Sequence, residues 1–506
     1  MYKSTLLSGL LRLVPLLTLV ACGGSSSSGL PAPGSIRTLA YVVTDVHEDA
    51  RSASLSQRLE ILHDDGPPGV VTEIPTVKKL PLGLGALYGA ARVGTYSVVL
   101  GAFQRLATSP DGSGVVFEVT FDFSFLAPFG LRNPLKPEQE GIFFVRSDGS
   151  GLRRLGPPSR EPAQRFSLTS PIFDYYFPFF AFSPNGKLIT FMDRGAGPAG
   201  EDAPQVVILD IATRARTLTH LPDAAPDPTS PALPATGFPA FEDDDTVRFF
   251  SRANPDDLNR EGTWRSFTVK TDGTGLTVLP APVLLPGSRV VPSFFITGPV
   301  TGSDITDVEL LDKPPVNPNS YYPPGPPFNV VYELFLVSPD QVLQLTNFGR
   351  TETGGLTYFG GGTTDGLQVF FNASANPPEL DGSNPSENCQ IFSISVLGSD
   401  LRQLTHFGTA DHSTIGCYGL SLPPVSGCFN PSTPVIDPET QTLIFDSTCD
   451  PLHTNPNGEQ FFAMRSDGTG LRQLTAMRGV VTAADGSVDV ELPGPGAYSV
   501  PLGILF

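Results

Sequence analysis

The side chains best suited to covalent chemistry are five cysteines in a chain of 506 residues. Cys22 stands alone near the N-terminus, whereas Cys389, Cys417, Cys428 and Cys449 fall close together near the other end. An even set of four in an exported chain points to disulfides. Their spacing does not fit the paired short knuckles of a structural zinc site. The histidines (His47, His63, His220, His406, His412 and His453) are scattered. The sequence contains no HExxH and no G-x-S-x-G elbow. Gly83-Leu84-Gly85 lacks the third glycine where a dinucleotide loop needs it. No catalytic residue, no metal-ligand set and no organic cofactor is therefore expected. Acids gather at Glu201-Asp202 and at Glu242-Asp243-Asp244-Asp245. The second run reads as a solvated turn, with calcium binding as the alternative.

Composition narrows the function classes further. Charged residues make up 16%, against about 25% in an average domain, and Gly and Pro number 52 each. Such a chain favours many short strands and turns over long helices. The formal net charge is -19, which argues against a nucleic-acid partner, because that needs a cationic footprint. It also disfavours broad contact with anionic lipid. Residues 1–12 carry Lys3 and Arg12 and no acid, and LVPLLTLV (residues 13–20) is apolar. That run is too short to span a bilayer as a helix and reads as a targeting signal. Leu19-Val20-Ala21-Cys22, followed by Gly23-Gly24 and four serines, resembles a bacterial lipoprotein signal. The resemblance implies removal of residues 1–21, lipidation of Cys22 and a flexible tether over 22–36. Membrane contact is then expected through the N-terminal lipid anchor only. Gly23 in place of Asp implies the outer membrane, facing periplasm or surface. A plain secretory signal is the alternative.

The elements that position these residues come from a repeat. RSDGSGLRRL (146–155), KTDGTGLTVL (270–279) and RSDGTGLRQLT (465–475) are near-copies. Around them lies a larger unit: a strand, a Ser-Pro-Asp-Gly type turn, a second strand, a variable loop, a third strand, the Asp-Gly turn, and a fourth strand ending in Leu-Thr. Leu155, Leu218, Leu279, Leu345, Leu404 and Leu474 mark the fourth strands, at spacings of 63, 61, 66, 59 and 70. A four-stranded propeller blade needs about 40–50 residues, so each unit carries extra loop. The Ser-Pro-Asp-Gly turns, the S-D-G-T-G phrase and the L-R-Q-L-T strand resemble the repeats of TolB-type β-propellers. That resemblance covers about residues 37–475. It implies an all-β, single-domain propeller over 37–506, without the separate N-terminal domain of TolB itself. Six full units and one partial unit give seven four-stranded blades, with six or eight as alternatives. The partial unit at LAYVV lacks its innermost strand. The C-terminal segment, within about 486–505, is expected to supply it and close the ring.

In such a unit both turns emerge on one face and the long variable loops on the other. Loops that differ on a repeated scaffold are where binding surfaces are usually built. The loop at 312–328, DKPPVNPNSYYPPGPPF, holds seven prolines and the pair Tyr321 and Tyr322. These tyrosines are candidate contact residues, with packing on a neighbouring blade as the alternative. The four clustered cysteines map to the same face. Strand adjacency suggests Cys389–Cys417 and Cys428–Cys449, with Cys417–Cys428 open as the local alternative. First-strand residues Leu106, Ala107, Phe180, Phe182, Phe241, Thr357, Tyr358, Val435 and Ile436 are expected to line a central channel. The functional expectation is a lipid-anchored envelope scaffold that binds a protein or a ligand, with an envelope protein or peptide as the expected partner. An envelope hydrolase or lactonase using the same loops is the alternative.

Overall fold

A strand buried on both faces must sit between two neighbours, and Gly114–Val119 is buried at every position. Its sequence, GVVFEV, has no polar face to offer water. The computed structural model describes residues 32–501, apart from 65–66, 75–76, 81–102, 121–132, 134, 162–179, 226–234, 281–287, 298–303, 311–330, 339–340, 349–358, 375, 381–382, 386–388, 408–433, 448 and 455–458. Within these residues the chain forms seven antiparallel sheets. The second sheet runs Phe103–Thr108, Gly114–Val119, Gly141–Arg146, Arg153–Gly156, each strand beside the one before it. The third to seventh sheets follow the same meander over residues 181–218, 236–278, 288–344, 359–403 and 435–473. The described helical turns are short: Pro255–Asp257 and Pro378–Leu380.

The first sheet departs from this plan. Its order is Gly479–Thr482, Val488–Ser499, Leu39–Glu48, Ala53–Leu62 and Gly69–Glu73, with Val77–Leu80 also on Ala53–Leu62. It therefore has six strands, drawn from both chain ends. The C-terminal strand pairs antiparallel with Leu39–Glu48, from Ala40 opposite Ser499 to Glu48 opposite Val488. Beyond it, Pro501 bridges Thr108 of the second sheet.

The sheets pack as a propeller. Six hydrophobic clusters each span two sheets, and in five of them the two sheets adjoin in chain order. They join the first to the second (Val42, Leu55, Phe117), the second to the third (Val116, Phe191), and the third to the fourth (Val206, Phe249). Others join the fifth to the sixth (Leu334, Phe371) and the sixth to the seventh (Phe370, Phe445). The last joins the seventh back to the first (Phe461, Tyr41). Leu106, Ala107, Phe180, Phe182, Phe241, Val435 and Ile436 belong to these clusters or pack against them. That corrects the expectation that they line a channel: apolar first-strand side chains turn into the seams between sheets. Thr357 and Tyr358 lie outside the described residues. The abundance of phenylalanine has a local reason. Cross-strand partners Phe117–Phe143, Phe249–Phe267, Phe371–Phe392 and Phe445–Phe462 stack at 5.6, 5.6, 5.9 and 5.8 Å. Direct cross-strand pairs of this kind hold second and third strands together.

The Leu-Thr ending is also structural. Thr405 accepts the Ile391 amide and donates to Gln390, whose Oε1 also accepts the Phe407 amide. Gln205–Thr219–Leu221 and Gln460–Thr475–Met477 repeat the arrangement. Glu333 takes the glutamine's place beside Thr346 and Phe348. Each set pairs buried polar groups where the fourth strand leaves the sheet.

The repeated phrase forms a corner. Asp148, Asp272 and Asp467 each accept the side-chain hydroxyl and the amide of the residue two on, and these bonds, the hydroxyl's first, hold their carboxyls below the usual range. The glycine after each has φ near +80°, which a side chain resists. Packing adds to this in the later sheets. A Cβ on Gly468 would lie 3.3 Å from the Leu404 carbonyl of the sixth sheet, whereas one on Gly149 would meet nothing within 4 Å. Gly149→Ala should thus cost only the backbone strain, about 1–2 kcal/mol. Gly468→Ala should cost measurably more. Equal melting temperatures for the two variants would refute a role for the phrase in locking one sheet to the next.

Candidate functional site

A pocket of about 220 Å³ opens between the first and second sheets. Phe103 starts the innermost strand, Phe117 and Val119 end the second, and Phe143 lies on the third. Leu152 precedes the fourth strand, and Thr72, Glu73 and Ile74 come from the outer side of the first sheet. Leu135, Glu138 and Gln139 arrive on the loop after Val119. That loop is held by its own bonds: the Leu135 amide donates to Asn133 and the Lys136 amide donates to Gln139. Phe117 touches Phe103 at 5.9 Å and stacks on Phe143 at 5.6 Å. The floor is thus aromatic and aliphatic, and two carboxylates, Glu73 and Glu138, are among the lining groups. Leu152 is 46% exposed. An apolar side chain placed here would bury its surface against rings already fixed by strand pairing.

On the other face of the second sheet lies a buried ionic network. Arg105 and Glu118 pair with side chains 1% and 0% exposed. Glu118 also accepts the Ser159 amide at 2.5 Å, and Arg105 donates to the Glu161 carbonyl at 2.8 Å. Burial pushes the Glu118 carboxyl up, and Arg105 and the Ser159 amide pull against it. Ser159–Glu161 is the connection leading to the third sheet. There Asp193 accepts the Arg160 amide at 2.6 Å and pairs with Arg216 at 2.5 Å. Arg194 reaches Glu161 at 3.3 Å and Asp202 at 3.0 Å. The network fastens the second sheet to the third.

A second network crosses the joined chain ends. Arg58 meets Asp45, Glu60 at 2.6 Å and Glu491 at 2.9 Å. Arg478 holds Glu491 at 3.0 Å, and the Tyr41 hydroxyl donates to Glu60 at 2.6 Å. Burial and the Glu60 partner push the Tyr41 phenol far up, while amide and guanidinium donors hold Glu491 down despite its burial.

Of the residues singled out in the sequence, Cys22, Tyr321, Tyr322, Cys417 and Cys428 lie outside the described residues. Cys389 opens the third strand of the sixth sheet, and Cys449 follows the second strand of the seventh. Both are 4% exposed. The acidic run at 242–245 is a turn: Asp243 accepts the Asp245 amide, and Asp244 accepts the Asn185 amide of the third sheet. Asp202 is engaged by Arg160 and Arg194. The pocket escaped sequence reading because its residues come from two sheets. Glu118 was visible as a lone charge inside VVFEVT, but its partner Arg105 was not.

No known protein family and no curated protein matches the chain. Solved structures of propeller-containing proteins are similar to it. One prolyl endopeptidase structure shares 10% identity over 91% of this chain and 54% of its own, with a TM-score of 0.42. The β-propeller domain of the trilobed protease from Pyrococcus furiosus shares 9% over 75% and 85%, at 0.36. An oligogalacturonate lyase from Vibrio parahaemolyticus shares 7% over 88% and 91%, at 0.40. The chain spans about half the length of the prolyl endopeptidase.

Proposed function

We propose that this chain is a lipid-anchored, seven-bladed propeller of the bacterial envelope, TolB-like in its repeats, that binds a protein or peptide partner. Each sheet is one blade, and the C-terminal strand closes the ring. The observation that carries the binding reading is the pocket between the first two sheets. Its size suits one large apolar side chain, and Glu73 and Glu138 favour a cationic neighbour beside it. Placing a charge at its exposed leucine should remove an apolar contact from that occupant. Leu152→Asp should weaken partner binding about tenfold or more, since an unpaired charge would face apolar surface. Crosslinking and pull-down from intact envelopes checks this. A stoichiometric partner held by the wild type and lost by Leu152→Asp is the expected result. Equal recovery with both proteins overturns the pocket's role. No partner at all, together with turnover in a substrate screen, overturns the scaffold itself.

In this reading Cys389 and Cys449 belong to disulfides, supported by their burial. Cys389–Cys417 and Cys428–Cys449 are the proposed pairs. Denatured but unreduced mature protein should then offer no thiol from these four to an alkylating reagent; two or more reactive thiols would exclude the pairing.

A further inference from the structure

The two turns of a sheet are linked by one backbone bond, and that bond aligns the sheets by structure. Ser147 donates to Ser113, Ile211 to Lys187, Thr271 to Asp245, Val396 to Leu367 and Ser466 to Gln441. At the acceptor position four of these sheets carry Ser, Lys, Asp or Gln. At the position after the donor they carry Asp148, Ala212, Asp272 and Asp467. The sixth sheet alone among these five carries leucine at both. Leu367 is 75% exposed and Leu397 is 70% exposed. The phrase's corner aspartate has been replaced by an apolar side chain facing out, beside a second one.

The N-terminal segment reaches the same face. The Gly34 amide donates to Thr440 in the turn of the seventh sheet at 2.8 Å, and Arg472 donates to the Gly34 carbonyl at 3.1 Å. Arg37 grips Asp437 with two bonds of 2.7 Å, and Thr38 donates to Gly112 in the turn of the second sheet. Ala32 and Pro33 are exposed there. Ala32 lies ten positions after Cys22, a reach of at most about 35 Å at roughly 3.5 Å per residue.

We propose that the turn face lies against the bilayer, with Leu367 and Leu397 inserted at its interface and the loop face turned away. The inference rests on the lipid-anchor reading, because an anchor at Cys22 on so short a tether holds this face near the membrane. Two weak signals, a lipid chain and an exposed apolar pair, combine where one alone gives little orientation. Asp365 and Asp400 flank the leucines, so neutral headgroups suit the contact better than anionic ones.

The single native tryptophan, Trp264, supplies an internal reference. It precedes Arg265–Lys270 after the loop of the fourth sheet, and so belongs to the opposite face. The test places full-length protein carrying Leu397→Trp on phosphatidylcholine vesicles with or without brominated acyl chains. The added tryptophan should be quenched about twofold or more, as expected for burial at the acyl boundary. Trp264 in the unsubstituted protein should be unchanged, and Leu367→Asp should relieve the quenching. Replacing part of the lipid by phosphatidylglycerol should weaken it. Vesicle-bound protein whose added tryptophan is not quenched, or whose Trp264 is, overturns the orientation; an interface for a protein partner would give the first of these. Acylation is measured separately, by mass. If Cys22 carries no lipid, the anchor reading fails alone. The same quenching is then read with the chain held through an N-terminal histidine tag on nickel-chelating lipid, with the same two outcomes.

Discussion

Arg105→Met should destabilise the protein by about 3–5 kcal/mol, the usual cost of leaving one partner of a buried ion pair behind. Methionine keeps much of the volume, so the cost is electrostatic. Glu118 would remain on a fully buried strand with the Ser159 amide as its sole described donor. The Glu161 carbonyl would also lose its guanidinium. Adding Glu118→Gln removes the orphaned charge while an amide oxygen still accepts from Ser159. The double variant should therefore recover more than half of the loss, short of about 1–3 kcal/mol for polar groups left unpaired. The pH dependence has a definite sign. Burial raises the Glu118 pKa, so its contribution is fully present below the ordinary glutamate value and is lost as pH rises through the raised one. Without Arg105 that loss should grow, and the double variant should lack it. Urea midpoints at several pH values read all three proteins. A double variant no better than Arg105→Met would place the cost in packing instead of charge.

These residues show where sequence reading reached and where it stopped. The strands, their meander and the pairing of a C-terminal strand with Leu39–Glu48 were legible because they depend on local rules: alternating apolar runs and Asp-Gly corners; that two C-terminal strands join a six-stranded first sheet was not. Contacts between units were not. Gly468 reads as a turn glycine, and only the neighbouring Leu404 carbonyl reveals a second demand on it. Leu397 reads as a divergent copy of the phrase, and its meaning needs the turn-to-turn bond that sets it beside Leu367. Leu106 and Ile436 read as channel residues because a repeat does not state which way a first strand faces. The pocket at Phe117 draws on Ile74, far earlier in the chain. Such sites depend on the pairing of sheets, which no single window of sequence contains.

Ending the chain at Arg478 should abolish the cooperative unfolding transition. The deletion removes Gly479–Thr482 and Val488–Ser499 and leaves Leu39–Glu48 as an open edge. Val490 and Leu492 leave the seam between the first and second sheets, and Val500 leaves that between the seventh and first. All three are nearly fully buried, at about 1.5–3 kcal/mol each. Tyr498 leaves Phe461, against which it packs at 5.1 Å. Glu491 leaves Arg58 and Arg478, and Ser499 leaves the Thr108 amide. The sum is comparable with the whole stability of an ordinary domain, about 5–15 kcal/mol. The damage should also be local. Sheets inside the array keep both neighbours, whereas the first and seventh each lose support. Limited proteolysis of the truncated protein should therefore cut first within residues 39–73 and 435–473, and later within the third and fourth sheets. A truncated chain with an unchanged melting transition, or one cleaved uniformly, would show that the C-terminal strand decorates the first sheet and does not hold the array together.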